Sequence, residues 1–190
     1  FDQMKKMTAY YPVAEGTDTA GQSYLSLSLV CGKNTDQKLR YALDILSDVL
    51  INQESAPIRL ALQKAEIGRD VSALIDPMKQ MVFQIRVQNA DPAHEERFRS
   101  IVRETLEQVV EQGVDSTAVR GTLNRLEFRK REGDDAQKGL TYNFNVLNGW
   151  FFADDPFLSL EWEQHLSALK ADIKAGYLEQ VIREQLLDNP

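Results

Sequence analysis

Alternation of period two and apolar residues at helical spacing divide this chain into an early part rich in strands and a later part rich in helices. Leu25, Leu27, Leu29 and Cys31 alternate with Ser26 and Ser28, which predicts a strand over 24–31 with the serines outward. Phe83, Ile85 and Val87 alternate with Gln84, Arg86 and Gln88, predicting another over 81–88, and 71–75 is also strand-like. Leu39, Leu43, Leu46 and Leu50 form a single stripe, which predicts a helix over 36–51 capped by Asn34 or Thr35. Ser55 is expected to cap a short helix with Pro57 in its first turn and Gly68 just past its end. Asp91-Pro92 opens a long helix through Phe98, Ile101, Val102, Thr105 and Val109, closed by Gly113, and Asp115 caps the next.

In that next helix Leu126 and Lys130 share a face, with Leu123 and Glu127 around it. Glu132, Gly133, Asp134 and Asp135 supply a polar break. After it, Gly139-Leu140 starts a run in which Leu140, Phe144, Leu147 and Phe151 recur at helical spacing beside Trp150. On pattern alone this is a core helical hairpin, since apolar and aromatic stripes usually mean packing. Further helices are expected over 158–173 and 177–187, and a connecting arm, punctuated by Pro12, Gly16 and Gly21, over 1–21. The expected fold class is α+β: a two-layer sandwich of one mainly antiparallel sheet with helices packed on one face and a helix-rich carboxyl half, forming a single domain over 22–190.

Hydrophobic residues make up 43% of the chain and charged residues 27%, which is too apolar for disorder. The 29 acidic against 22 basic residues give a net charge of −7, with the basic residues interspersed, so nucleic acid is not an expected partner. Arg125, Arg129, Lys130 and Arg131 lie among Glu127 and Glu132 and read as a solvated face. No membrane association is expected, because no apolar run approaches the roughly 18 residues of a span. Cys31 is the single cysteine and, closing an apolar alternation, reads as a small buried residue rather than a nucleophile.

Chemistry is sparse. Only His94 and His165 are present, and neither belongs to an H-x-x-E-H motif, which would place two histidines on one helix face with a glutamate positioned to activate water. Glu161 and His165 are four apart and could share a metal, yet a zinc site needs three or four protein ligands, so a carboxylate near an imidazole is the preferred reading. His94, in an acidic first turn, reads as solvated. Ser23, Ser26 and Ser28 have no histidine nearby in sequence, and the glycines form no nucleotide loop. No catalytic, cofactor-binding or metal-binding residue is therefore assigned.

The order LEF, RE, GL, W, DP and FLSLEWEQHLSALKADI across 126–173 resembles the presequence-protease branch of the pitrilysin and insulysin type of zinc metallopeptidases. SYLSLSLVCGKNTDQKLRYALDILSDVLINQESAPIRLALQKAEIG resembles a strand, helix and "SPLRxxL…GLG" run of the same family, departing from it at Ala56 and at Glu66-Ile67-Gly68. MVFQIRVQNADPAHEERFRSIVRETLEQVVEQGVD resembles the strand, helix and "EG(F/V)D" turn that follow. The resemblance implies the second, non-catalytic domain of a clamshell endopeptidase that degrades unfolded peptides. Zinc would sit in another domain of the parent chain, with no cofactor in this segment. The implied partners are other domains of the same peptidase and unfolded peptide substrates. The chain is expected to be soluble, cytoplasmic in a bacterium or in the mitochondrial matrix in a eukaryote. Because a further strand follows the last helix in the resembling domains, an uncovered edge and self-association of the fragment are also expected. The alternative from another class is a stand-alone inactive homologue acting as a scaffold or assembly subunit.

Overall fold

The computed structural model describes residues 3–132 and 137–189. Three antiparallel strands, β1 (Ser23–Lys33), β2 (Asp70–Asp76) and β3 (Gln80–Ala90), form a sheet in the order β1-β3-β2. Leu27 pairs with Ile85 and Leu29 with Phe83 across one ladder, while Val71 pairs with Val87 across the other. Leu25, Leu29, Cys31, Met81, Phe83, Ile85 and Val87 are buried on the covered face. On the other face Gln84 donates to the hydroxyl of Ser28 at 3.1 Å and receives Arg86 at 2.7 Å, a polar surface facing water. The expected sandwich is therefore present, with one solvated face as antiparallel sheets allow.

Helix α1 (Gln37–Ser47) lies under the sheet and runs into a π turn, Asp48–Asn52. The stripe Leu39, Leu43, Leu46 and Leu50 is buried as expected, widened by Ala42, Ile45, Val49 and Ile51. Its cap is Asp36, not Asn34 or Thr35: the Asp36 carboxylate accepts from the Leu39 N–H at 2.9 Å. Asn34 is instead buried and donates to the carbonyls of Pro77 (3.3 Å) and Asn148 (2.9 Å), joining the β2–β3 turn to the end of a distant helix. Helix α2 (Pro57–Lys64) starts from Ala56 without a side-chain cap, so Ser55 is not its cap; Pro57 alone presets the first turn.

A short 3₁₀ turn, Pro92–His94, leads into α3 (Glu95–Gln112), and α4 (Ser116–Glu132) follows with Asp115 accepting from Thr117 and Ala118 as expected. Then come α5 (Lys138–Trp150), α6 (Trp162–Ile173) and α7 (Tyr177–Val181), which continues into a π turn, Ile182–Leu187. Residues 158–161 are not helical, because α6 begins only at Trp162. The polar break expected after α4 lies largely in 133–136, outside the described residues. Among the described residues 3–22 there is no helix or strand; Tyr11 packs edge-on against Tyr24 at 5.7 Å and bonds the Gln22 carbonyl.

Both outer strands have their free edges partly occupied by side chains. On β2, the amide of Asn52 accepts from the Ala73 N–H (2.8 Å) and donates to the Ala73 carbonyl (3.1 Å), while Arg59 donates to the Val71 carbonyl. On β1, Gln185 receives the Gly32 N–H and Asn189 donates to the Val30 carbonyl. Side chains standing in for a neighbouring strand blunt an edge that would otherwise template association.

Candidate interaction surface and the polar cavity beneath it

The main departure from the sequence reading is α5. Its apolar stripe was expected to pack as core, yet Gly149 is its single buried residue among those described. Leu140, Phe144, Trp150 and Phe151 are 52%, 57%, 55% and 73% exposed, and Phe157 in the following turn is 59% exposed. Periodicity specifies a face that favours burial; it does not say which chain supplies the cover. Several large apolar side chains are thus left open along one segment, with Phe151 and Phe152 in edge-on contact at 6.5 Å.

The rear of the same segment is anchored. Asn34 holds the Asn148 carbonyl, and Gly149 lies so close to Ser159 that a Cβ there would approach its hydroxyl to 2.5 Å. Between this anchor and the body of the domain is a cavity lined by Gln37, Arg40, Tyr41 and Asp44 of α1, Leu126 and Lys130 of α4, Asn145 of α5, and Ser159. The Lys130 ammonium stands over the Tyr41 ring at 5.6 Å. Burial, and then the repulsion of Arg40, lower the pKa of Lys130. Burial pushes the Asp44 carboxyl up to about 6, against the pull of Arg40, Lys130 and Arg129. Lys130 therefore departs from the solvated face assigned to its cluster, whereas Arg125 and Arg131 fit it, pairing with Asp48 and Glu127 at the surface. The sequence carried one signal of the cavity, the placement of Leu126 and Lys130 on a common face. Arg40 and Asp44, one turn apart on the polar flank of α1, were missed.

The residues weighed for chemistry lie apart from this cavity. Glu161 precedes α6 and accepts from Gln164 at 2.8 Å, so its carboxylate is engaged away from His165, whose Nε2 is enclosed without a partner. His94 is half-buried with Nδ1 enclosed, not solvated as expected, because the 3₁₀ turn tucks the ring inward. Ser28 is bonded to Gln84. Cys31 is buried, its Sγ near the carbonyls of Leu29 and Gln185, and burial raises its pKa to about 11, which leaves the thiol protonated and inert at neutral pH. Among the described residues no group of three or more histidine, cysteine, aspartate or glutamate side chains could hold a metal, so the side chains present do not fit a zinc site.

The architecture is an α+β domain with no metal ligands assembled among its described residues. The chain belongs to the peptidase M16 inactive domain family, whose pattern matches residues 6–126. Protein HypA of Clostridium perfringens is 36% identical over 192 residues, covering 100% of this chain and 20% of that protein. The mitochondrial presequence protease of Yarrowia lipolytica is 26% identical over 183 residues, covering 94% of this chain and 18% of that protein. The chain thus spans about a fifth of the length of the curated relatives it matches. Among solved structures, the inactive peptidase domain of a zinc-protease-like protein from Bordetella parapertussis superposes with a TM-score of 0.67 at 13% identity, covering 86% of this chain and 85% of that one. The periplasmic protease PqqL of Escherichia coli does so at 0.62 with 14% identity, covering 88% of this chain and 18% of that one. At these identities the likeness is one of fold. No described helix is long and apolar enough to cross a membrane.

Proposed function

We propose that this chain is a non-catalytic wall domain of a larger zinc metalloendopeptidase that encloses and degrades unfolded peptides, and that α5 and the turn after it form the face that packs on other domains of the same polypeptide. The carrying observation is the open aromatic surface of Phe144, Trp150, Phe151 and Phe157. Burying a phenylalanine side chain contributes about 1.5–3 kcal/mol relative to exposure, so covering this surface contributes several times that. The relatives' greater length supports a covering domain in the same chain, and the presequence proteases among them support peptide substrates. In this reading 1–21 is an arm from a preceding domain, 22–190 is the wall, and zinc is held elsewhere in the parent.

The test is reconstitution. This chain and the remainder of its polypeptide are purified separately and mixed, and zinc content, association and peptide cleavage are followed. Zinc should stay with the remainder, cleavage should need both parts, and Phe151→Asp with Phe157→Asp should weaken association at least tenfold. Stoichiometric zinc in this chain, or association indifferent to those substitutions, would overturn the proposal. A polypeptide lacking an H-x-x-E-H segment would support the scaffold alternative instead.

A further inference from the structure

The geometry points to the cavity between α1, α4 and α5 as a binding site for a single carboxylate group, taken between Arg40 and Lys130 with Asn145 beside it. This inference is independent of the peptidase reading. Two half-buried cations line one partly open cavity, and among the described residues neither Arg40 nor Lys130 has a carboxylate within 4.0 Å. Ser159 borders the cavity, with its Oγ packed against Gly149.

Size and walls select the class of ligand. About 50 Å³ is open to the centre of a water-sized atom. At about 10–15 Å³ for each water, that is room for three or four waters, or for one carboxylate with a short stem. The Tyr41 ring and Leu126 give the stem apolar contact, while the planar guanidinium of Arg40 suits a carboxylate's paired oxygens. The opposing group is Asp44. It is faced by Arg40 and Asp48 from its own helix and by Lys130 and Arg129 from α4; α5 contributes the uncharged Asn145 to the lining. When ionised Asp44 repels an incoming carboxylate; when protonated it donates a hydrogen bond to it. The occupant is either a small free acid or the carboxyl end of a peptide.

Acetate, N-acetyl-dialanine as its free acid, and the same dipeptide as its amide are titrated into the isotope-labelled chain. The amide resonances of Asn145, Ser159 and the Gln37 side chain are followed. Acetate should give saturable shifts there and the dipeptide amide none. Shifts from the free-acid dipeptide assign the site to peptide ends, and shifts from acetate alone assign it to small free acids; both support the carboxylate. Affinity should rise up to about 20-fold between about pH 7.5 and about pH 5.5, as the Asp44 carboxyl takes up a proton. Asp44→Asn should bind tightly at the higher pH and lose this dependence, an outcome that misfolding cannot mimic. Arg40→Gln and Lys130→Met should weaken binding at least tenfold, with Lys130→Arg retaining it. Absence of saturable shifts in a folded spectrum, equal shifts from acid and amide, or no tightening in Asp44→Asn would overturn the assignment.

Discussion

Replacing Glu66 by glycine should stabilise this chain, although it removes a side chain and adds no contact. Helix α2 ends in a reverse turn in which the Ile67 N–H reaches the Leu62 carbonyl and the Glu66 N–H reaches that of Gln63, both at 3.0 Å. This is the Schellman arrangement, and it requires a left-handed residue at the position Glu66 fills, with φ of +57°. A side chain there crowds the following carbonyl and costs about 1–2 kcal/mol, a strain glycine does not carry. Part of the gain is returned, since glycine gives the unfolded chain more freedom, about 0.5–1 kcal/mol. The net gain is about 0.5–1 kcal/mol. Glu66 is exposed, so no packing is lost.

Charge needs separate control, because removing a carboxylate from a helix carboxyl terminus is itself favourable by about 0.3–1 kcal/mol. Glu66→Ala removes the charge and keeps the Cβ, so the difference between the glycine and alanine variants isolates the backbone. In thermal unfolding that difference should be about 1–4 °C for a chain of this size, with glycine the higher. Equal midpoints for Gly and Ala would refute the assignment of strain to this residue.

Gly68→Ala should act in the opposite direction, losing about 2–5 kcal/mol in denaturant unfolding, because φ is +69° and a Cβ would lie 2.2 Å from Val87 Cγ1 and 2.6 Å from the Gln88 carbonyl oxygen. Asn52→Ala should cost about 1–3 kcal/mol, the loss of two hydrogen bonds to Ala73, and should raise self-association in light scattering by freeing the β2 edge. Asp44 makes stability fall as pH rises. Its folded pKa of about 6 lies above the ordinary carboxylate value, so between about pH 4 and pH 6 the folded state binds the extra proton, and the cost of ionising it is complete above that range. Asp44→Asn should thus be more stable than the parent by about 3 kcal/mol at pH 7.5, with the gain vanishing near pH 4; a gain independent of pH would contradict this.

The sheet and the helix beneath it were legible because each element carries its own period. β1 and β3 alternate, α1 repeats its leucines, and the structure buries Leu25, Leu29, Phe83, Ile85, Leu43 and Leu46 accordingly. Caps were less legible. Asn34, Thr35, Asp36 and Ser55 are all competent acceptors in sequence, and tertiary demands decide among them: Asn34 is drawn away to Pro77 and Asn148. The cavity was illegible because its charges come from α1 and α4, whose pairing in space has no local signature. A charge pattern such as Arg125, Arg129, Lys130 and Arg131 is the same string whether one member turns inward or none does.

Helices α1 and α5 show where such reading ends. Both carry apolar residues three and four apart, and the first is buried while the second faces outward. What differs is the complement: α1 meets the apolar face of the sheet, which the same sequence encodes by alternation, whereas the stripe of α5 stays largely exposed. Its rear is nonetheless fixed by Asn34 and by the close approach of Gly149 to Ser159, so the aromatic face is held in position before anything covers it. Anchoring of that kind reduces the ordering cost of association. A free hairpin would have to be ordered at the moment of docking; here the ordering is already built into folding, as the proposed interdomain role would require.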